Sequence, residues 1–558
     1  MIDSQLHDDH LLRYSVSFEG TNNDLAIVTF FDEHNKKVTR LTLNVVSKNI
    51  IYQWLDNGDP IKLENAYVKD LSLSEYRTLR NKKEHDLVFI NNFSATRTLF
   101  DCESTTDLSY AKFEGSQTVF DRIVFGNGYN NFLASDFGHG DVLFHHAKFG
   151  SGTTNFQSVR FGDGDVSFEG TNFGIGNLIF ADANFSNGHV NFKNTIFGTG
   201  NIDFKFAKFS EGNISFERAS FSKGKKDFKN VEFGGGRIDF KRVEFNDGDV
   251  SFEGVEFGNG KINFRGTTFG LGHVSFEQAD FANGEANFDH VDFGTGSISF
   301  NQAKAAHISF RGCPFNCYVD LRFKECKIAN LSNAIVRDIV DVKPESKDVY
   351  IRELYLTDTR IIGRLFINWR ENHVADLIYN QKKTSYIQKA EQFRNLKENF
   401  RVNGQYEDED VAYIEFKRCE AKANLNSELN GASFEKLFAY PKYYFQKYIF
   451  DFVGRYATAP TRVLANGVLA IFVFGCIYYL TTVYFHSVGS VQTTLPQDLN
   501  HFQEFWNSIY YSAITFFTIG YGDYFPYGIL KSVAVLEGFS GVFLMSYFTV
   551  AFVRKILR

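Results

Sequence analysis

Val166-Ser167-Phe168-Glu169-Gly170-Thr171-Asn172-Phe173-Gly174-Ile175-Gly176-Asn177 is one copy of a 12-residue unit whose reading decides how most of this chain folds. Its two phenylalanines lie five residues apart, and the next lies seven further on. That alternation runs from Phe113 through Phe120, Phe125, Phe132, Phe137, Phe144, Phe149 and Phe156 to Phe293 and Phe300. Gly176 recurs at every twelfth position from Gly128 to Gly296. None of this spacing is helical. Within a unit, the V-x-F and T-x-F pieces each send their first and third side chains the same way, because side chains alternate across a strand. Both pieces then line one interior. Stacked units pair their strands in parallel and bury ladders of phenylalanine, each worth about 1.5–3 kcal/mol of transfer free energy before entropy is subtracted. The sequence therefore predicts a parallel β-solenoid. The recurring glycine falls between the two pieces, where a corner with positive φ is expected to exclude a Cβ.

Two coil sizes fit this repeat: four faces of 24 residues or two faces of 12. The charged position after the first phenylalanine does not choose between them. Glu169, Lys193, Glu217 and Lys241 alternate in sign when stacked, but Lys241 then meets Arg265. The small residue two places before each apolar one resembles the pentapeptide-repeat family, and Ala329-Asn330-Leu331-Ser332-Asn333-Ala334 matches that family's motif directly. Here every second pentapeptide carries two extra residues. The resemblance implies the four-faced coil, about 40 Å long at roughly 4.8 Å per coil, against about 75 Å for the two-faced one.

The composition agrees with a repeated pattern. Among 558 residues there are 63 Phe and 45 Gly but only 7 Pro and 2 Met, and the length calls for more than one structural unit. A formal charge of -7 without a dominant basic block gives no reason to expect nucleic acid as a partner. Cys102, Cys313, Cys317, Cys326, Cys419 and Cys476 are too sparse to staple such a chain, so reduced cytosolic thiols are expected. Cys313, Cys317 and Cys326 lie close together, but no fourth ligand follows at finger-like spacing. Neither a structural metal nor a cofactor is expected. Met1 to His10 is polar and acidic, unlike a secretory signal, so the chain is expected to start in the cytoplasm.

Along the chain, residues 1–105 read as a β-rich cap, with runs at Leu25 to Phe31 and Val38 to Val46 and no helical period. Residues 106–380 are the solenoid, with degenerate coils after Phe323. Residues 381–430 read as a helical hairpin. Its first helix, Lys382 to Arg401, puts Phe393, Leu396 and Phe400 on one face and ends at Gly404. Its second, Glu407 to Ala423, turns Ala412, Phe416 and Cys419 inward. Residues 433–458, rich in tyrosine, phenylalanine and lysine, suit a juxtamembrane helix at the membrane surface, a buried aromatic helix being the alternative.

Residues 460–558 form the last domain. Val463 to Phe485 carries no charge and, at about 1.5 Å per residue, is long enough to cross a ~30 Å hydrocarbon core. A second span runs from Ile529 to Val553, interrupted by Lys531 near one end and Glu537 inside. His486 to Leu530 holds no Lys or Arg, whereas Lys442, Lys447, Arg455 and Arg462 precede the first span and Arg554, Lys555 and Arg558 follow the second. The positive-inside rule puts both termini, and hence the solenoid, in the cytoplasm.

Between the spans, Phe505 to Phe517 reads as a short helix and leads into Thr518-Ile519-Gly520-Tyr521-Gly522-Asp523. A dehydrated cation needs a cage of oxygen dipoles. Backbone carbonyls supply one only if successive peptides face one axis, which demands positive φ at alternate positions, and Gly520 and Gly522 permit it. Irregular backbone is tolerated at membrane depth where it lines such a path. This layout resembles the two-span potassium-channel family over roughly the last hundred residues. The resemblance implies passive, potassium-selective conduction through a homotetramer in a bacterial inner (plasma) membrane. It further implies rings of K+-binding carbonyls from Thr518, Ile519, Gly520 and Tyr521, with the Thr518 hydroxyl below them and Gly522 completing the filter. Tyr521 is expected to pack against Tyr510 and Tyr511, with Asp523 at the outer mouth. The pore-helix glutamate that braces this aspartate in some members is replaced by Ile514.

In the second span, Gly538 and Gly541 are candidates for a gating hinge or for close helix packing. Glu537, the one ionisable group deep in the bilayer, is expected to support the filter by bonding a pore helix of its own or a neighbouring subunit. Lys531 is expected to snorkel outward. The placement of the hexapeptide, between two spans and before Pro526, excludes a chance glycine turn. A second reading makes the solenoid the working part: a membrane-tethered binding scaffold that the pore domain anchors and tetramerises. An enzyme is not expected. The Gly-x-Gly turns recur at 12 residues, the residue after them varies (Asp165, Asn177, His189, Lys225, Arg237), and no Ser/His/Asp or paired-carboxylate set can be placed. No arginine ladder precedes the pore, and no regulatory domain is expected beyond it. Control is therefore expected from a ligand or protein acting on the solenoid, through the hairpin Lys382 to Ala423.

Overall fold

The computed structural model describes residues 13–32, 34–344, 350–430, 433–494 and 500–557. They divide into two units, Met1–Lys382 and Lys383–Arg558.

The first unit opens with an antiparallel sheet of β1 (Arg13–Glu19), β2 (Leu25–Phe31) and β3 (Lys37–Val45). β3 pairs in parallel with Ala66–Lys69 and so hands the sheet over to the coils. Two short helices interrupt what reads in sequence as β alone. α1 (Lys48–Asn57) buries Ile51 and Tyr52 and stops at left-handed Gly58, and α2 (Leu73–Leu79) is capped by the Ser72 side chain on the Glu75 N–H. Two or three turns are too few to establish a helical period. Stacking begins at Lys62–Glu64, well ahead of the phenylalanine repeat. Its first rungs bury Ile90 beside Phe113, and Ala95 and Leu63 in line with Phe120, while Phe100 already pairs with Phe125.

Val166 pairs in parallel with Val142 on one side and Val190 on the other, so one coil is 24 residues and the four-faced form is the one adopted. Two long sheets of 13 and 12 strands run the length of the stack. At roughly 4.8 Å per step the longer is about 58 Å, exceeding the about 40 Å expected because coils outside the strict repeat extend both ends. Phe168, fully buried, stacks on Phe144 at 4.9 Å and on Phe192 at 5.0 Å, and meets Phe180 of the next ladder edge-on at 5.7 Å. Each ring thus combines stacking along its ladder with T-shaped contact across the interior.

The recurring glycine serves a different purpose from the one its spacing predicts. Apart from Gly248 (φ +98°), those from Gly128 to Gly296 have no positive φ. A Cβ on Gly176 would lie 2.0 Å from the Gly152 carbonyl oxygen of the coil below, so it is the approach of stacked backbones that demands glycine. The left-handed corner falls instead two residues after the first phenylalanine. Gly170 (φ +67°), Asp182 (φ +57°), Asn194 (φ +53°) and even Ala134 (φ +54°) occupy it.

The solenoid ends under α3 (Val374–Tyr379), which packs on Tyr350–Tyr355, while the Gln381 side-chain amide donates to Leu354 O at 2.6 Å. This covers an edge strand that would otherwise template further pairing. No disulfide is formed among the described residues, and burial pushes the Cys313 and Cys317 thiols up to about 12, away from the thiolate form a metal needs.

In the second unit, α4 (Tyr386–Val402) starts at a Ser385/Gln388 capping box. Left-handed Gly404 lies in the turn to α5 (Tyr406–Leu429), which packs along α4. Phe393, Leu396 and Phe400 are buried with Ala412 and Cys419, and Phe416 is half-buried. α6 (Ser433–Phe445) passes into a π-helical stretch, Gln446–Phe452. Leu437, Phe438, Tyr440, Tyr444, Phe445, Tyr448 and Phe452 of this segment are exposed in the single chain. α7 (Pro460–Tyr484), α8 (His501–Phe516) and α9 (Leu530–Ile556) complete the unit. α8 begins earlier than its apolar pattern predicts because Asn500 and Gln503 form a capping box ahead of it.

Candidate ion-conduction site

α7 and α9, of 25 and 27 residues, are long and apolar enough to cross a membrane. α8 packs between them. The antiparallel strands Gly489–Thr493 and Tyr524–Gly528 tie the segment after α7 to the one before α9, and Lys531 lies 6.0 Å over the Tyr527 ring.

The last turn of α8 carries directly into the hexapeptide: Thr518 N–H donates to Thr515 O at 3.1 Å and Ile519 N–H to Ile514 O at 2.9 Å. Thr518 (φ +56°), Gly520 (φ +58°) and Gly522 (φ +82°) are left-handed, and Ile519 and Tyr521 between them are not. Such alternation turns successive carbonyls to the same side. A Cβ on Gly520 or Gly522 would meet nothing within 4 Å, so here, unlike in the solenoid, φ and not crowding selects glycine. Thr518 is the residue whose conformation the sequence does not announce. A β-branched side chain in this region costs of order 1–3 kcal/mol, the kind of strain found at functional sites.

Asp523 receives the Tyr510 hydroxyl at 3.1 Å on Oδ2. Tyr510 thus provides the brace that Ile514 cannot, a partnership that sequence reading missed because it depends on how α8 is rotated about its axis. The expected packing of Tyr521 on Tyr510 and Tyr511 is not found among the described residues. Tyr521 is 70% exposed, Tyr510 meets Tyr524 at 5.9 Å, and Tyr511 meets Tyr478 at 4.8 Å. A single chain simply leaves Tyr521 pointing outward.

Behind the hexapeptide, Glu537 of α9 is fully buried. The Tyr478 hydroxyl of α7 donates to its Oε2 at 2.7 Å, and Ser512 Oγ of α8 is in hydrogen-bond contact with its Oε1. The bond to the pore helix is therefore made within the chain's own α8. Tyr478 and Ser512 gave no sequence signal beyond being polar residues in apolar helices. Gly541 has a packing role: a Cβ there would lie 1.9 Å from Phe516 O at the end of α8. At Gly538 the nearest atom is Thr515 O at 3.8 Å, so no crowding requires glycine there.

Residues 466–558, which hold all of these groups, match a protein family described as an ion channel. This segment is an ion-channel pore domain. The chain is accordingly a membrane protein, and its two long apolar helices are the candidate spans. No curated protein and no solved structure matches the chain.

At the far end of the pore domain, α9 is fastened to the helices that precede it. Asp410 of α5, mostly buried, accepts from Arg554 at 3.4 Å and from Lys555 at 3.2 Å, and the Arg554 guanidinium lies 4.2 Å over the Tyr413 ring. Arg418 of α5 grips Asp451 of the π-helical stretch through two bonds of 2.7 and 2.9 Å. Just before α7 the chain makes an elbow of three successive left-handed residues, Arg455, Tyr456 and Ala457 (φ +47°, +55° and +63°).

Proposed function

We propose that the chain is one subunit of a homotetrameric, potassium-selective channel, with four copies of Thr518–Gly522 set around one axis. The alternation of left-handed φ at Thr518, Gly520 and Gly522 carries this reading. It aligns carbonyl dipoles, and a ring of such dipoles is what replaces the hydration shell of a potassium ion. One strip is one wall of the cage. The exposed Ile519 and Tyr521 are surfaces that neighbouring copies would cover. Val468 of α7 and Phe539 of α9, 63% and 73% exposed, suit contact with lipid chains. The Lys and Arg flanking the spans support cytoplasmic termini and a cytoplasmic solenoid, and the aromatic, lysine-bearing α6 fits the membrane surface. The family resemblance of the pore sequence favours a bacterial plasma membrane.

Gating belongs to the same proposal. Because Asp410 holds the last turn of α9, movement of the hairpin α4–α5 pulls on the end of the helix that lines the pore. A ligand or protein bound to the solenoid would act through this hairpin.

The test is ion flux into liposomes holding the full-length protein, potassium against sodium. Potassium-selective flux, lost in Tyr521→Ala, is the expected result. Equal flux of both ions would overturn selectivity. Absence of flux both in the whole chain and after deletion of residues 1–380 would favour a scaffold that the pore domain only anchors. Unchanged open probability after that deletion, under every condition tried, would overturn gating by the solenoid.

A further inference from the structure

Three oxygen-to-oxygen contacts meet around Glu537, and counting their hydrogens is informative. Tyr478 Oη lies 2.7 Å from Glu537 Oε2. Ser512 Oγ touches Glu537 Oε1 and also lies 2.8 Å from the Ile471 carbonyl oxygen of α7. Each hydroxyl owns one hydrogen, a carbonyl owns none, and an ionised carboxylate only accepts. With Glu537 ionised, two hydrogens must serve three contacts. If Ser512 then donated to Glu537, its oxygen would face the Ile471 carbonyl with nothing between them. If it donated to Ile471, it would face the carboxylate in the same way.

A neutral carboxyl supplies the missing hydrogen. Tyr478 donates to Glu537 Oε2, Glu537 donates from Oε1 to Ser512, and Ser512 donates to Ile471 O, so every contact holds one hydrogen and the chain of bonds runs in one direction. Nothing nearby offers a positive charge instead. Among the described residues Glu537 makes no ion pair, and the titratable groups packed around it are Tyr478 of α7 and Tyr511 of α8, whose rings meet at 4.8 Å. Glu537, Tyr478 and Ser512 are all fully buried.

We infer that Glu537 carries a proton in the working protein and donates it to Ser512, whose own hydroxyl hydrogen goes to the Ile471 carbonyl, a chain of bonds that fastens the helix leading into the filter to both flanking helices at once. Glu537 is thus a positioning residue for the pore. Loss of the proton forces Ser512 to give up either Ile471 or Glu537, unfastens α8 from α7 or from α9, and weakens the support of Thr518–Gly522. Conduction should therefore fall as the solution becomes alkaline.

This functional consequence rests on the channel reading, but the proton can be tested without it. Infrared difference spectroscopy of the reconstituted full-length protein should show a protonated-carboxyl stretch at neutral pH that disappears in Glu537→Gln and shifts in Glu537→Asp. The aspartate variant serves if the glutamine one does not fold. In flux, wild type should lose at least fivefold on alkalinisation, whereas Glu537→Gln, which keeps an N–H to donate and cannot ionise, should conduct without that alkaline loss. Glu537→Ala should lose at least tenfold at every pH. A carboxyl band at neutral pH that no Glu537 variant alters, or an ionised-carboxylate band in its place, would overturn the proposal even if the channel conducts. The same alkaline loss in wild type and in Glu537→Gln would overturn its role in the pore.

Discussion

The hydroxyl of Tyr547, on α9, donates to the carbonyl oxygen of Phe450 at 2.8 Å, reaching from the pore domain's last helix to the π-helical stretch that precedes its first. The Tyr547 hydroxyl oxygen in turn accepts the Ala457 N–H at 3.0 Å, and Gly454 is close enough to the Tyr547 ring that a Cβ would lie 2.6 Å from it. One phenol therefore pins the left-handed elbow. Tyr547→Phe keeps the ring, which stands edge-on to Phe450, and strands the Ala457 N–H, while the Phe450 carbonyl keeps the Tyr456 N–H at 2.7 Å. Each buried group left without a partner costs roughly 1–3 kcal/mol, so the unfolding midpoint of the pore domain in detergent should fall by several degrees. An unchanged midpoint would mean that water replaces the phenol and that the elbow is held by other contacts.

The two glycines of α9 are expected to behave in opposite ways. Gly541→Ala drives a Cβ into the Phe516 carbonyl and should abolish flux or assembly, because neither backbone can yield. Gly538→Ala meets open space and raises helix propensity by about 0.8–1 kcal/mol, so it should fold at least as well. If Gly538→Ala nonetheless alters open probability while assembling normally, bending at that position is its function. Liposome flux and size-exclusion chromatography of both variants separate these outcomes.

A similar contrast tests the solenoid. Gly176→Ala places a Cβ 2.0 Å from Gly152 O. It should destabilise the stack by more than the 1–3 kcal/mol of a typical overpacked core, since backbone rather than side chain must move. Gly170→Asn should cost much less, because the equivalent corner already holds Asn194 at φ +53° and only the exposed His146 side chain, 2.4 Å from a Cβ there, must swing aside. Chemical denaturation of the full chain, followed by circular dichroism, ranks the two. Equal losses would contradict the assignment of crowding to one glycine and backbone freedom to the other.

Lys226 occupies a rung position held by Ile202 and Val250 in adjacent coils, and its buried ammonium donates to Asp247 O. Burial lowers its pKa to about 8, against the nearby Asp247 and Asp249, which raise it. The unfolded chain keeps this proton up to the ordinary lysine value of about 10.4. Between these values the unfolded state binds more protons, so stability should rise as pH climbs from about 8 towards about 10.4. Lys226→Ile should remove this pH dependence and, below about pH 8, be more stable than wild type by on the order of 2 kcal/mol. Denaturation curves across that range supply the measurement. A stability that falls with pH in wild type alone would reverse the sign of the argument.

How much of this was legible depends on what each residue competes against. The five-and-seven spacing of Phe168, Phe173 and Phe180 admits no helix, so strand, solenoid and inward-facing ladder could all be read from it. The coil size could not, because 12 and 24 give the same periodicity and only the pairing of Val166 with Val190 distinguishes them. Gly176 was recognised as obligatory for the wrong reason, since crowding and positive φ select the same amino acid. In the pore, Gly520 and Gly522 announced their backbone, whereas Thr518 did not, because nothing in a threonine advertises a left-handed φ. Tyr510 with Asp523, and Tyr478 with Ser512 and Glu537, are meetings of residues on different elements. They are set by helix rotation, which a single sequence does not encode locally.

The 24-residue coil also fixes the steps by which this protein can change length. Val166 and Leu178, twelve residues apart, stand in different sheets on different walls of the stack. Loss or duplication of 24 residues would remove or add one storey of about 4.8 Å and leave every later coil facing as before. A change of 12 would exchange the two walls for the rest of the stack, so that whatever surface the later coils present would be carried to the opposite side. The solenoid is in effect a ruler graduated in whole storeys, and inserting single coils would vary its reach without altering the direction in which its later faces look.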